Sequence, residues 1–194
     1  MSGFVANDDL VSLEDAETLV GEINRLRVDV ARLEALVIEL DQLAHSDPLV
    51  NLPNRRGLLA NLENLIARVE RYGEPAAMLF IDVDGLKRIN DQFGHEAGDA
   101  ALIEIAKLIV TSVRKSDCVA RIGGDEFGVL LERADELSAW QMALRIVETV
   151  VGSRFCINGS YLTLSVAVGV GMIRSGDSPL LVIRRADEVM YQLK

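Results

Sequence analysis

Between residues 118 and 131 the chain runs apolar, turns, and runs apolar again. Cys118-Val119-Ala120-Arg121-Ile122 precedes Gly123-Gly124-Asp125-Glu126, and Phe127-Gly128-Val129-Leu130-Leu131 follows. Two adjacent glycines between strand-like runs supply the positive φ angles of a tight hairpin. Such a turn lifts Asp125 and Glu126 to its tip or to the start of the second strand. Neighbouring strand residues face opposite ways, which predicts different jobs for the two carboxylates. Taken alone, the stretch also suits a solvated acidic hairpin. A second acidic cluster tips the balance.

That cluster is Asp82-Val83-Asp84, at the end of the apolar run Ala76 to Val83 (AAMLFIDV), which predicts a buried strand. A carboxylate at the end of a buried strand is a common place for chemistry. Mg²⁺ takes hard oxygens, usually one or two carboxylates with phosphate oxygens and water. Asp82 and Asp125 form such a pair if strand and hairpin are neighbours, and the Val83 carbonyl adds a backbone oxygen. Ordinary loop acids would give the same letters. Lys87 follows closely enough to reach a phosphate, or is simply an exposed lysine. Asn90 and Asp99 carry groups that can read guanine: a carboxylate accepts from N1–H and N2–H, and an amide pairs with O6, N7 or N2. Each also has a local reading, Asn90 closing a helix and Asp99 capping the next, predicted over Ala100 to Val113. His95 is a turn residue or a nucleotide contact. Arg114 and Asp117, three apart, are either a surface ion pair of little worth or a clamp for phosphate and base.

Before this region lies a heptad seam. Ala16, Leu19, Ile23, Leu26, Val30, Leu33, Val37, Leu40 and Ala44 alternate steps of three and four. β-branched residues at a and leucine at d favour a parallel two-stranded coil. Glu22 and Arg27 attract across chains, whereas Asp29 and Glu34 repel. An amphipathic helix packed on its own domain is the alternative. The division expected is a flexible N-terminus at 1–13, a dimeric coiled-coil helix at 14–46 and a catalytic domain at 47–194. Pro48 ends the long helix and Asn54 caps the next. Beyond the hairpin, a helix is predicted over Asp135 to Val151, then strands Arg154–Ile157 and Tyr161–Ile173 around an Asn158-Gly159 turn, then a helix from Pro179. Gly169 and Gly171 point to close packing on another backbone. The sum is an α+β fold with a mainly antiparallel central sheet flanked by helices.

The net charge of −10 disfavours binding to nucleic acid or an anionic membrane. A phosphate-bearing ligand then needs local neutralisation by metal or placed cations. No long uncharged apolar run and no basic leader is present, so a cytoplasmic protein without a membrane segment is expected. Cys118 and Cys156 are expected to be buried in a reducing compartment.

Together these residues resemble the GGDEF family of bacterial diguanylate cyclases. The likeness covers roughly Asp47 to Lys194: DPLVNLPNRR at 47–56, DVDGLKRIND at 82–91, FGHEAGD at 93–99, RKSD at 114–117, ARIGGDEF at 120–127 and ADEVMYQLK at 186–194. Ordered motifs at family-like spacing are far more specific than the turn alone. The resemblance implies a fold similar to the palm of nucleotide cyclases and polymerases. It also implies joining of two GTP molecules into cyclic di-GMP with release of two pyrophosphates, across a homodimer whose two sites face each other. By resemblance, Asp82, the Val83 carbonyl and Asp125 bind Mg²⁺ or Mn²⁺, two ions per site, and Asp125 doubles as proton acceptor. Glu126 assists with metal or with the 3′-hydroxyl. Asn90, His95 and Asp99 hold the nucleotide, Gly123 and Gly124 leave room for its phosphates, and Lys87 and Lys194 contact them. Arg114 and Asp117 match an inhibitory product site, with Arg145 as a further contact. Departures are Leu86 for a usual phenylalanine, Ala167 near the start of the last strand for a usual serine, and a chain ending at Lys194 before a Gly-Arg-Asn tail.

Overall fold

The computed structural model describes residues 13–157 and 159–194, with side chains described at 18–37 and, apart from 158, from 44 onward. The stretch expected to be flexible, 1–13, lies outside the described residues except for Leu13, which already belongs to a helix. Leu43 to Lys194 forms one compact unit, and the helix up to Gln42 belongs to a separate one.

Helix α1 spans Leu13–His45. Its described seam residues Leu19, Ile23, Leu26, Val30, Leu33 and Val37 all stand largely exposed on the single chain. It stops a residue short of the expected boundary because Ser46 enters a short ladder, β1 (Ser46–Asp47) with β2 (Leu52–Pro53). Asn54 then caps α2 (Arg55–Tyr72), its side-chain oxygen accepting from the Arg56 and Gly57 N–H groups. Gly73 closes α2 in the left-handed region.

The central sheet has the order β4-β5-β3-β8, antiparallel throughout, from β3 (Ala76–Val83), β4 (Cys118–Gly123), β5 (Glu126–Leu131) and β8 (Val166–Ile173). β3 is interior and covered on both faces, which is why it reads as continuously apolar until Asp82. Its odd-numbered side chains, Ala77 to Val83, pack with α3 (Leu86–Phe93), α4 (His95–Ser112) and α5 (Glu136–Val151). The even ones, Ala76, Met78 and Phe80, pack with α2 and α6 (Pro179–Leu193). Leu58 and Leu62 of α2 are completely buried there; truncating either to alanine should cost about 2–5 kcal/mol. Gly169 lets α6 lie directly on β8, since a Cβ there would stand 2.1 Å from the Ala186 carbonyl oxygen.

Several local expectations are corrected. Tyr161–Ile173 is not one strand: β7 (Ser160–Leu162) pairs only with β6 (Phe155–Ile157), and β8 starts afresh in the central sheet. The break falls where Leu164 turns into the core and the Ser165 carbonyl accepts the Asp84 N–H at 3.0 Å. Asn158 lies outside the described residues, while Gly159 has φ +78°. Helix α4 begins at His95 rather than Ala100, so Asp99 is a helical residue and not its cap. Cys156 is exposed because β6 and β7 form a ribbon outside the main sheet, and Cys118 is half-buried at the start of the edge strand β4. No described helix is long and apolar enough to cross a membrane.

Candidate active site

The early strand and the later hairpin converge. Asp82 pairs in register with Glu126, the first residue of β5, and directly opposed residues of an antiparallel pair share a face. Both carboxylates therefore lie on the side of α2 and α6. Asp125 occupies the turn itself, and its carbonyl accepts the Val83 N–H at 3.0 Å. Of the two glycines, only Gly124 takes a positive φ, +45°. The ladder shifts register between Arg121 and Gly123, so a bulge supplies the rest of the bend. A Cβ at Gly123 or Gly124 would meet no atom within 4 Å, which leaves the backbone of the tip open to a ligand.

Negative charge accumulates at this corner. Burial, then the charges of Asp125, Asp82 and Asp187, raise the Glu126 carboxyl above its ordinary range, and Arg55 offsets part of that. A cation already sits on the corner: Lys194 Nζ donates to Asp82 Oδ1 and lies 3.6 Å from Asp84 Oδ1. Its hydrogen bond to Asp82 is the main cause of a raised Lys194 pKa. Among the described residues, no group of three or more His, Cys, Asp or Glu forms a ready metal cage. Mg²⁺ does not need one, since it commonly takes one or two carboxylates and completes its shell with phosphate and water. The donor set fits such an ion: hard oxygens, excess negative charge, and an ammonium occupying the position of a cation.

From the end of β3 the chain turns through Gly85, φ +68°, into α3, which packs on α4. α3 carries Lys87 and Asn90, and α4 follows with His95 and Asp99. Lys87, His95 and Asp99 are exposed and Asn90 is half-buried. Asn90 Oδ1 is buried without a hydrogen-bond partner. A buried acceptor left unmatched is costly and asks for a functional explanation.

On the other face, Arg114 and Arg145 line one cavity of about 620 Å³ with Ser138 and Gln141. The Arg145 guanidinium also donates to the Ser112 carbonyl. Arg114 and Asp117 line an adjoining depression. The Asp117 carboxylate accepts from the Arg114 N–H at 2.9 Å and the Glu132 N–H at 3.3 Å, so it also closes its own turn.

Two contributors escaped the sequence reading. Arg121 reaches the carbonyl of Gly124, and Gly98 lies against the Asn90 carboxamide. Regular strand alternation and the glycine's place in a family-like motif were their only sequence signals.

Residues 44–194 match the family model described as "Diguanylate cyclase, GGDEF domain". The chain is similar to the response regulator PleD of Caulobacter vibrioides, 38% identical over 156 residues, covering 79% of this chain and 34% of that protein. It is also similar to the diguanylate cyclase TpbB of Pseudomonas aeruginosa, 37% identical over 186 residues, covering 93% of this chain and 41% of the other. It thus spans well under half the length of either relative. Among solved structures, the diguanylate cyclase SiaD of Pseudomonas aeruginosa, crystallised with its activator SiaC, superposes with a TM-score of 0.75 at 31% identity, covering 93% of this chain and 72% of that one.

Proposed function

This chain belongs to the GGDEF-domain family of diguanylate cyclases, and from that premise we propose that it condenses two GTP molecules into cyclic di-GMP, releasing two pyrophosphates. The observation that carries the reading is the meeting of Asp82, Glu126 and the Asp125 turn at one end of the sheet. The helices that follow β3 in the chain, α3 and α4, bring Asn90 and Asp99, whose side chains can recognise a guanine edge.

Asp82, the Val83 carbonyl and Asp125 would hold Mg²⁺ or Mn²⁺, two ions per site. Bound there, the ions supply neutralisation of the triphosphate and polarisation of the reacting phosphate. The protein's own contribution is position. Asp125 takes the proton of the attacking 3′-hydroxyl, and Glu126, with its raised affinity for a proton, assists it. Lys87 and Lys194 hold phosphate oxygens; Lys194 leaves Asp82 and Asp84 to do so. Gly123 and Gly124 keep the tip clear, and Asn90, His95 and Asp99 fix the nucleoside.

Each 3′-hydroxyl must meet the α-phosphate held by a second copy, so the unit of catalysis is a homodimer. The exposed seam of α1 supports a parallel coiled coil as the device that joins the copies. Cyclic di-GMP is also taken as an inhibitor. Arg114 and Arg145 on a shared cavity, with Asp117 beside them, form a site for its phosphates and bases.

Incubation of the protein with GTP and Mg²⁺, followed by chromatography of the nucleotides, tests the reading. Cyclic di-GMP and pyrophosphate are expected. Intact GTP at concentrations where the dimer forms would remove the cyclase assignment, and binding of cyclic di-GMP without turnover would instead favour a receptor.

A further inference from the structure

We infer that Gly98 is a specificity-determining positioning residue: its missing side chain is the space in which the Asn90 carboxamide is held for the nucleobase. The inference rests on the proposed role of Asn90 as a guanine contact and adds to it the element that aims it.

A Cβ built on Gly98 would stand 1.9 Å from Asn90 Oδ1, 2.9 Å from Cγ and 3.3 Å from Nδ2. The first two distances are far inside van der Waals contact, so no side chain larger than hydrogen coexists with this Asn90 rotamer. The glycine is not needed for its backbone conformation. Gly98 lies within α4, in ordinary helical geometry, where alanine is the better residue by roughly 1 kcal/mol. The helix carries that cost at the point where Asn90 approaches.

The Asn90 backbone cannot easily move aside. Its carbonyl accepts the Gly94 N–H at 2.9 Å at the end of α3, and the Gly94 carbonyl accepts from Ala97 at 3.1 Å and Gly98 at 3.4 Å in the first turn of α4. Nor does a polar contact fix the carboxamide, since Asn90 Oδ1 is buried and unpaired. Steric contact with the bare backbone of Gly98 is what sets the side-chain direction. Restoring a Cβ forces the carboxamide to rotate away and alters which base edge it can meet.

The test measures equilibrium binding of 3′-deoxy-GTP and 3′-deoxy-ATP, which lack the nucleophilic hydroxyl and therefore report binding without turnover. Wild type, Gly98→Ala, Asn90→Ala and the double variant are compared by calorimetry, with thermal midpoints recorded. Gly98→Ala is expected to cut the guanine-over-adenine preference at least tenfold at an unchanged or higher midpoint. In the Asn90→Ala background the same substitution should change the preference less than twofold, because no carboxamide remains to displace. An equal loss in both backgrounds would overturn the inference, as the glycine would then serve helix packing. So would an unchanged preference in Gly98→Ala. If Asn90→Ala alone keeps the wild-type preference, the reading of Asn90 itself fails, an outcome distinct from failure at Gly98 alone.

Discussion

The guanidinium of Arg121 holds the carbonyl of Gly124, the residue before the turn acid, with Nε at 3.1 Å and Nη2 at 2.8 Å. Its remaining nitrogen, Nη1, reaches both Asp47 oxygens at 3.2 and 3.1 Å. Asp47 meanwhile accepts from the Leu49 and Val50 N–H groups. One side chain thus ties the bend of the hairpin to the first strand of the domain, and both partners of the ion pair are mostly buried. A fork of this kind cannot be replaced by a point charge. Arg121→Ala and Arg121→Lys are both expected to lower kcat about tenfold or more with a smaller change in KM, since the turn loses its geometry rather than its ligands. Initial rates across GTP concentrations check this, and wild-type kcat in the lysine variant would refute the geometric argument.

Asp125 sits on a turn with open space around the neighbouring glycines and contributes its backbone, not its carboxylate, to the link with Val83. Asp125→Ala should therefore abolish cyclic di-GMP formation while moving the thermal midpoint by no more than a degree or two. Product chromatography and a melting curve on the same preparation decide the matter. Retained turnover would contradict its assignment to metal and proton.

Arg114 and Arg145 face the same cavity from α4's end and from α5. Replacing Arg114 with alanine should weaken inhibition by added cyclic di-GMP at least tenfold and leave initial rates in its absence close to wild type. Arg145→Ala should act in the same direction. Inhibition curves of unchanged midpoint would show that the product binds elsewhere.

Asp177 and Arg185 form a largely buried pair, with Arg185 Nη1 and Nη2 donating to the carboxylate at 2.8 and 2.9 Å. The hydrogen bond from Arg185 is the leading cause that holds the Asp177 carboxyl below its usual value, against opposition from burial. A folded-state value lower than the unfolded one means stability that is present above the unfolded value and lost as pH falls through the folded one. Asp177→Asn should cost about 2 kcal/mol at neutral pH. The gap from wild type should narrow below about pH 4, where the unfolded carboxyl takes up protons. Urea titrations at several pH values provide the comparison; a gap that stays constant into acid would refute the linkage.

Leu26 and Leu33 are 56% and 60% exposed on the isolated helix, far more than a monomer needs to leave uncovered at two heptad d positions. A Leu26→Asp, Leu33→Asp double variant is expected to sediment as a monomer. Its cyclic di-GMP production should fall steeply at dilute protein while the compact unit keeps its cooperative melt. Undiminished dimer would shift the interface away from this seam.

Elements whose cause is local were legible in the residues. The three-four spacing of α1, the apolar run of β3, the Asn54 and Pro179 helix starts and the glycine-bearing hairpin all declare themselves within a few neighbours. The candidate acids were legible too, as letters, because hard-oxygen chemistry restricts which side chains serve. Their meeting was not. Lys194 reaches Asp82 across 112 positions and Arg121 reaches Asp47 across 74, and no local pattern encodes such distances. The division of 161–173 into two strands, the start of α4 at His95 and the pressing of Gly98 on Asn90 likewise depend on what lies across the sheet or the neighbouring helix. Periodicity and turn chemistry act through nearest neighbours along the chain, so the amino-acid order alone could assign helices, strands and reactive side chains. Register, packing and charge act through space, so only the folded chain decided which acids share a corner, which cation sits on them and which glycine gives the Asn90 carboxamide its room.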